Sequence, residues 1–203
     1  MSDLTTLRAQ VASLLSDASH DRWATDELDD ALRLALRHYS ERRPRELETT
    51  LTLAEAGREL SLAGVSGLLR PLRVWWPYTA AEPAYPPRWV PWERHGTATL
   101  FLHVADEPQA GDGVRLFYAA LHTVEGLDDE TATTLAADEE GTLVVGAAGY
   151  AALARAAYVN EAVSRSERTP EQWHAWAESR LADFEKHLAP RYAPPPWPVW
   201  SGE

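Results

Sequence analysis

Seven histidines are the first residues to test for chemistry: His20, His38, His95, His103, His122, His174 and His187. No two of them stand four residues apart, and no H-E-x-x-H run occurs, so the helical metal-ligand spacing is missing. Carboxylates come in three runs: Asp26, Glu27, Asp29 and Asp30; Asp128, Asp129 and Glu130; Asp138, Glu139 and Glu140. Divalent-metal or nuclease chemistry needs such groups to converge from several elements. Two of the runs instead fall where helices are expected to begin, and there negative charge suits the helix dipole. Nucleophile motifs are absent as well, with no G-x-S-x-G and no cysteine. Gly111-Asp112-Gly113 reads as a turn between strands, and Gly141, Gly146 and Gly149 lack the Lys-Ser/Thr of a phosphate loop. No catalytic, cofactor-binding or metal-binding residue is assigned.

Binding chemistry is better represented, because the chain carries nine tryptophans. Trp173 and Trp176 share a helical face and read as core. Trp75 and Trp76 are neighbours in a strand-like run, so they point to opposite faces and at least one leaves the core of that layer. With Trp89 and Trp92 they are candidate contacts to other subunits. Near the end, Tyr192, Trp197 and Trp200 lie in a proline-stiffened segment too short to bury them against itself. A stiff segment loses little entropy on docking, so these three are candidates for binding a partner's groove. The competing reading folds the tail back over its own domain.

The elements that must hold these residues follow from periodicity. Leu4, Leu7, Val11, Leu14 and Leu15 predict an amphipathic helix over about the first 17 residues. Thr25 is the expected cap of a second helix, with Leu28, Ala31, Leu32, Ala35, Leu36 and Tyr39 as its apolar stripe and Pro44 as its stop. The period then falls to two. Strands are predicted at 47–53, at 60–62 as a return strand, and at 69–76. Residues 77–96 hold five prolines and read as a long loop. Residues 97–104 and 114–121 are expected to pair across a turn at 108–113. A third helix follows Asp138, with Leu143, Ala147, Tyr150, Leu153, Ala154 and Ala157 on one side and small residues at Gly146, Ala148 and Gly149. The fourth is announced by Thr169-Pro170-Glu171-Gln172, a capping threonine with glutamine at the third position. Trp173, Trp176, Ala177, Leu181, Phe184 and Leu188 form its apolar face.

The expected fold class is therefore α+β. A bundle of about four helices (1–44 and 137–190) is interrupted by an antiparallel β region (45–136) and followed by an extended tail (191–203). Apolar residues make up 45% and charged residues 25%, ordinary globular proportions. The start Met1-Ser2-Asp3 has no basic, apolar signal character, and the longest apolar stretch, 143–158, is too weakly hydrophobic for a membrane span. The formal net charge of -12 disfavours tight nucleic-acid binding, which depends on neutralising phosphates.

In this order the segments resemble the head–tail connector (adaptor) proteins of tailed bacteriophages. The resembling runs are 7–15, Trp23-Ala24-Thr25-Asp26-Glu27-Leu28 through Arg43-Pro44, Leu51-Thr52-Leu53, and Arg58-Glu59-Leu60-Ser61-Leu62. They continue with Leu72-Arg73-Val74-Trp75-Trp76-Pro77, Val114-Arg115-Leu116-Phe117-Tyr118, Thr133-Thr134-Leu135 and Gly146-Ala147-Ala148-Gly149-Tyr150. The resemblance implies a non-enzymatic virion protein of the phage neck, assembled in the host cytoplasm. It implies a ring, usually of twelve copies, docked beneath the portal protein and above a downstream neck or tail protein, with DNA passing through without tight binding. Portal contact would fall to Tyr192, Trp197 and Trp200. Three rival readings remain open: a carbohydrate- or receptor-binding module using coplanar rings between Tyr78 and Trp92, a hydrolase with dispersed carboxylates, and another neck or tail-completion protein.

Overall fold

The computed structural model describes residues 2–19, 21–161 and 169–189. Its elements are α1 (Leu4–Leu14), α2 (Thr25–Arg42), β1 (Arg45–Thr52), β2 (Glu59–Ser61), β3 (Leu68–Trp75), β4 (Trp92–His95), β5 (Thr99–Leu102), β6 (Gly113–Ala120), α3 (Glu140–Glu161) and α4 (Pro170–Leu188). The fold class is α+β, with four helices and two small antiparallel sheets among the described residues. The chain divides into two compact units, Met1–Ala35 with Val124–Glu203, and Leu36–Thr123.

In the first, helical unit, α1 is capped by Asp3, whose carboxylate accepts from the Thr6 amide at 2.8 Å. Leu4, Leu7 and Val11 are buried as expected. Leu14 is not: it is 38% exposed, and Ala12 takes the inward place, because the helix stops at Leu14 and Ser16 turns with φ 59°. The following loop is organised by Asp17, which is buried and accepts from the backbone amides of Asp21, Arg22 and Trp23, each at 3.1 Å. Thr25 is the first residue inside α2 rather than its cap. The reach-back bond is made by Glu27, which accepts from the Ala24 amide at 2.7 Å.

Helices α3 and α4 lie close where Gly146 and Gly149 leave α3 without a side chain. A methyl group on Gly146 would come within 2.9 Å of the Phe184 ring, and one on Gly149 within 2.9 Å of the Leu181 side chain. Phe184 is fully buried. The start of α4 has the complete capping box, Thr169 with Gln172. The apolar stripe expected on α3 is corrected in its second half. Leu153, Ala154 and Ala157 are exposed, while Val144, Ala148, Ala151 and Ala152 are buried. The early turns of α3 are apolar nearly all round, so periodicity could not single out a face.

In the second, β unit, the sheets have the orders β1-β6-β3 and β2-β5-β4, every pairing antiparallel. They share one core that includes Leu53, Leu60, Val74, Leu100, Leu102, Val114 and Leu116. Three strand expectations are corrected. Residues 99–102 and 113–120 do not pair with each other; they are the central strands of different sheets. The 108–113 segment is tied to the end of β1 instead of closing a hairpin, with Leu53 N donating to Asp112 O at 3.0 Å and Gly111 N to Leu53 O at 2.9 Å. The short strand at 59–61 pairs with β5, not back onto β1. Within 77–96, β4 begins at Trp92, immediately after the last of the five prolines, where each residue again has an amide to donate.

Candidate interaction surface

The alternation of β1, β3 and β6 sorts their side chains cleanly. Leu47, Leu51, Val74, Val114 and Leu116 turn to the core. On the opposite face the register lines up Glu48, Phe117 and Arg73 in one row and Thr50, Arg115 and Trp75 in the next. Trp89 joins this face by bridging to Trp75, held by Trp76 N to Arg88 O at 3.2 Å and Val90 N to Val74 O at 2.9 Å. Tyr78 is brought in by its amide bond to Gly113 O at 2.9 Å; a side chain at Gly113 would collide with the Tyr78 carbonyl.

The rings form a chain: Trp75 to Tyr78 at 5.0 Å, Trp75 to Trp89 at 6.1 Å and Trp89 to Phe117 at 5.5 Å. Their planes meet at 75°, 59° and 67°, so the rings pack edge against face and offer no flat stacking platform. Two guanidinium groups cover them. Arg73 lies 5.6 Å from the Trp89 ring and Arg115 lies 5.2 Å from the Tyr78 ring. Arg115 is fixed by an ion pair with Glu48 and by donating to Thr50 Oγ1 at 2.9 Å. Arg70 is exposed on β3, and Trp89 keeps 46% of its surface open. The result is an aromatic surface on which Arg70, Arg73 and Arg115 are set together with the exposed Glu46 and Glu48.

The other described tryptophans lie elsewhere. Trp76 and Trp92, also singled out as contacts from sequence, pack against the shared core, and Trp76 Nε1 donates to Asp112 Oδ2 at 3.3 Å. Trp23 and Trp173 meet edge to face at 5.2 Å in the helical unit, and both are buried. Tyr192, Trp197 and Trp200 lie outside the described residues, as does His20.

Charge is divided unevenly between the units. Residues 36–123 contain ten arginines and ten acidic residues and are neutral. The remaining nine basic and 21 acidic residues belong to the helical unit, which therefore carries the entire net charge of -12. Compared with protein-family models, the chain matches the SU10 adaptor protein over residues 2–195. The chain belongs to that phage adaptor family. A comparison with curated proteins finds no match.

In this adaptor-family chain the acidic runs end on separate partners. Asp29 takes a two-point bond from Arg8, at 2.9 Å on each oxygen. Asp30 and Asp128 both receive Arg33 at 2.7 Å, and the Asp128 bond holds the Arg33 guanidinium above its ordinary pKa. Glu140 accepts from the amide and the hydroxyl of Ser2, each at 2.7 Å. Cap bonds act on other carboxyls: Thr6 holds Asp3, and Thr169 holds Glu171, below the usual carboxylate range. His95 and His103 flank Phe101 on the β2-β5-β4 sheet, with Glu93 within 3.9 Å and 3.6 Å of them. Among the described residues, no group of three or more His, Asp or Glu is placed to hold a metal, and no helix is long and apolar enough to cross a membrane. Sequence reasoning missed the roles of Asp17 and Arg115. Asp17 falls at the end of the first predicted helix, where no motif marks it as an acceptor, and only the strand register gives Arg115 its ring and its carboxylate.

Proposed function

We propose that this chain is a structural head–tail adaptor: copies assemble into a ring beneath the portal of a phage particle and present a platform to the next neck or tail protein. The observation that carries this reading is the family match, which spans residues 2–195 of a 203-residue chain. The ring, of twelve copies in this reading, encloses a channel for DNA. A protomer with a net charge of -12 suits such a channel, since an anionic wall lets a polyanion slide without neutralising its phosphates. Its work is assembly rather than catalysis, in the neck of the virion, after folding in the host cytoplasm. Portal attachment is assigned to the tail, 191–203, through Tyr192, Trp197 and Trp200, which a stiff proline-rich segment can present at small entropic cost. Trp75, Trp76, Trp89 and Trp92 are assigned to contacts with other subunits or neck proteins, with Trp75 and Trp89 on the outward face and the partly buried Trp76 and Trp92 packed beside the core.

The test mixes the purified chain with its portal and images the product by electron microscopy. Rings of this chain on the portal are expected. A portal that stays bare at saturating protein overturns the adaptor reading. Deleting 191–203 is expected to weaken docking while the circular dichroism spectrum stays that of the folded chain; a truncated chain that docks normally refutes the tail assignment alone.

A further inference from the structure

Resting on the ring reading, we propose that the outward face of the β1-β6-β3 sheet is the socket for a neighbouring copy, and that it receives the acidic helical unit of that copy. A closed ring is built from heterologous contacts, in which one patch of a protomer meets a different patch of the next. Two dissimilar and complementary patches are therefore required on one chain, and this chain carries them. The first is the sheet face. Trp89 is a large ring left half open at its centre, Arg73 is laid over it, and Arg70 and Arg115 stand on the same face with the exposed Glu46 at its margin and Glu48 paired to Arg115. Tryptophan and arginine are the residue types that most often dominate binding energy at protein interfaces. The rings are already locked against one another, so docking on them orders little that is not ordered beforehand.

The second patch is defined by charge. All of the net charge of -12 sits in the helical unit, while the unit that carries the socket is neutral overall. Two helical units brought face to face would set acid against acid, whereas the socket face, on which Arg70, Arg73 and Arg115 outnumber Glu46 and Glu48, meets an acid-rich unit without that repulsion. Complementarity of this kind steers encounter and selects the head-to-tail arrangement over the face-to-face one. A saccharide is a poorer occupant, because rings inclined at 59–75° give a sugar no flat surface to stack on. A polynucleotide would have to approach a protomer of strongly negative net charge.

The chain has no cysteine, so a single introduced thiol can be labelled uniquely. Glu46→Cys places it at the margin of the proposed socket, in the row of Arg70, and leaves the bonds that fix Arg115 in place. Labelled with a benzophenone maleimide, mixed with an isotopically heavy second copy and assembled on the portal, the protein is illuminated and its cross-linked peptides are mapped. Adducts are expected on residues 1–35 or 124–203 of the heavy copy. Their yield should fall when salt rises from about 0.1 M to about 1 M, which shortens the screening length from roughly 10 Å to roughly 3 Å. The double change Arg70→Glu, Arg73→Glu should lower the yield by about tenfold, since it sets like charges against each other; the salt series needs no such change and stands if that variant misfolds. Adducts on residues 36–123, adducts on the portal alone, or no intermolecular adduct within rings that are visible in the microscope overturn the proposal and leave the adaptor reading intact. Adducts on the helical unit of a heavy copy without rings on the portal support the contact and overturn the ring.

Discussion

Gly146 gives the sharpest test of how α3 and α4 are held together. In an ordinary exposed helix, replacing glycine by alanine stabilises by about 1 kcal/mol, through backbone entropy. Here the new methyl group would lie 2.9 Å from three atoms of the Phe184 ring, which is fully buried and has nowhere to swing. Forcing extra volume into a packed core costs about 1–3 kcal/mol, so Gly146→Ala is expected to be destabilising by roughly 0–2 kcal/mol overall. Phe184→Ala alone should cost about 3–5 kcal/mol by opening a cavity. In that background the sign reverses: the Gly146 methyl group meets space instead of a ring, and adding it should recover about 1 kcal/mol or more. Urea unfolding followed by circular dichroism, in an osmolyte buffer that keeps the weakest variant folded, reads all three variants against the parent. If Gly146→Ala stabilises the parent by the full helix-propensity amount, and the two changes are additive, the close approach of the helices is wrong.

Asp17→Ala removes the acceptor for three backbone amides in a buried loop and should cost about 2–3 kcal/mol, with Asp17→Asn costing less because one oxygen remains; chemical denaturation of both variants decides. Ser40→Ala deletes a hydroxyl that donates to Leu36 O at 2.7 Å and accepts from the His122 amide at 2.9 Å, so a loss of about 1–3 kcal/mol in the same assay is expected. Asp3 has a carboxyl held below its ordinary value by Thr6, so its contribution to stability is present above the unfolded pKa and is lost as pH falls through the folded one. Acid titration should therefore weaken the parent slightly more than Asp3→Asn, which keeps the cap without the charge. Trp89→Ala, at a half-open ring, should change the unfolding midpoint little while reducing copy-to-copy cross-linking several-fold; an equal loss of both would make Trp89 a core residue.

The helices were legible in the sequence because their signals are local. The Thr169-Pro170-Glu171-Gln172 start of α4 and the small residues Gly146 and Gly149 act on atoms a few positions away or on one facing helix. The fourth-helix face was read correctly through Trp173, Ala177, Phe184 and Leu188, all buried. Strand partners were not legible, because alternation says which side a residue faces and nothing about which strand lies alongside. Neighbours in sequence, β5 and β6, were paired by proximity, yet the turn between them is bonded to the end of β1. The interaction surface was half visible for the same reason. Trp75 and Trp89 could be named from composition, but that Arg73 and Arg115 would lie over the rings depends on which residues stand opposite Phe117 and Trp75.

The central strand of the first sheet is also its last to leave the ribosome. β1 ends at Thr52 and β3 at Trp75, but both wait for β6, which begins at Gly113. At about 5–20 residues per second, the nascent chain holds β1 without its partner for roughly 3–12 s. Such distant pairings also slow the closing step itself, since the loop must be ordered before any bond repays it. Throughout that interval the leucine side of β1 is open to other nascent copies of the chain. Yield in the host should therefore respond more strongly to chaperone supply, and to slower translation before codon 113, than to further stabilisation of the finished helices.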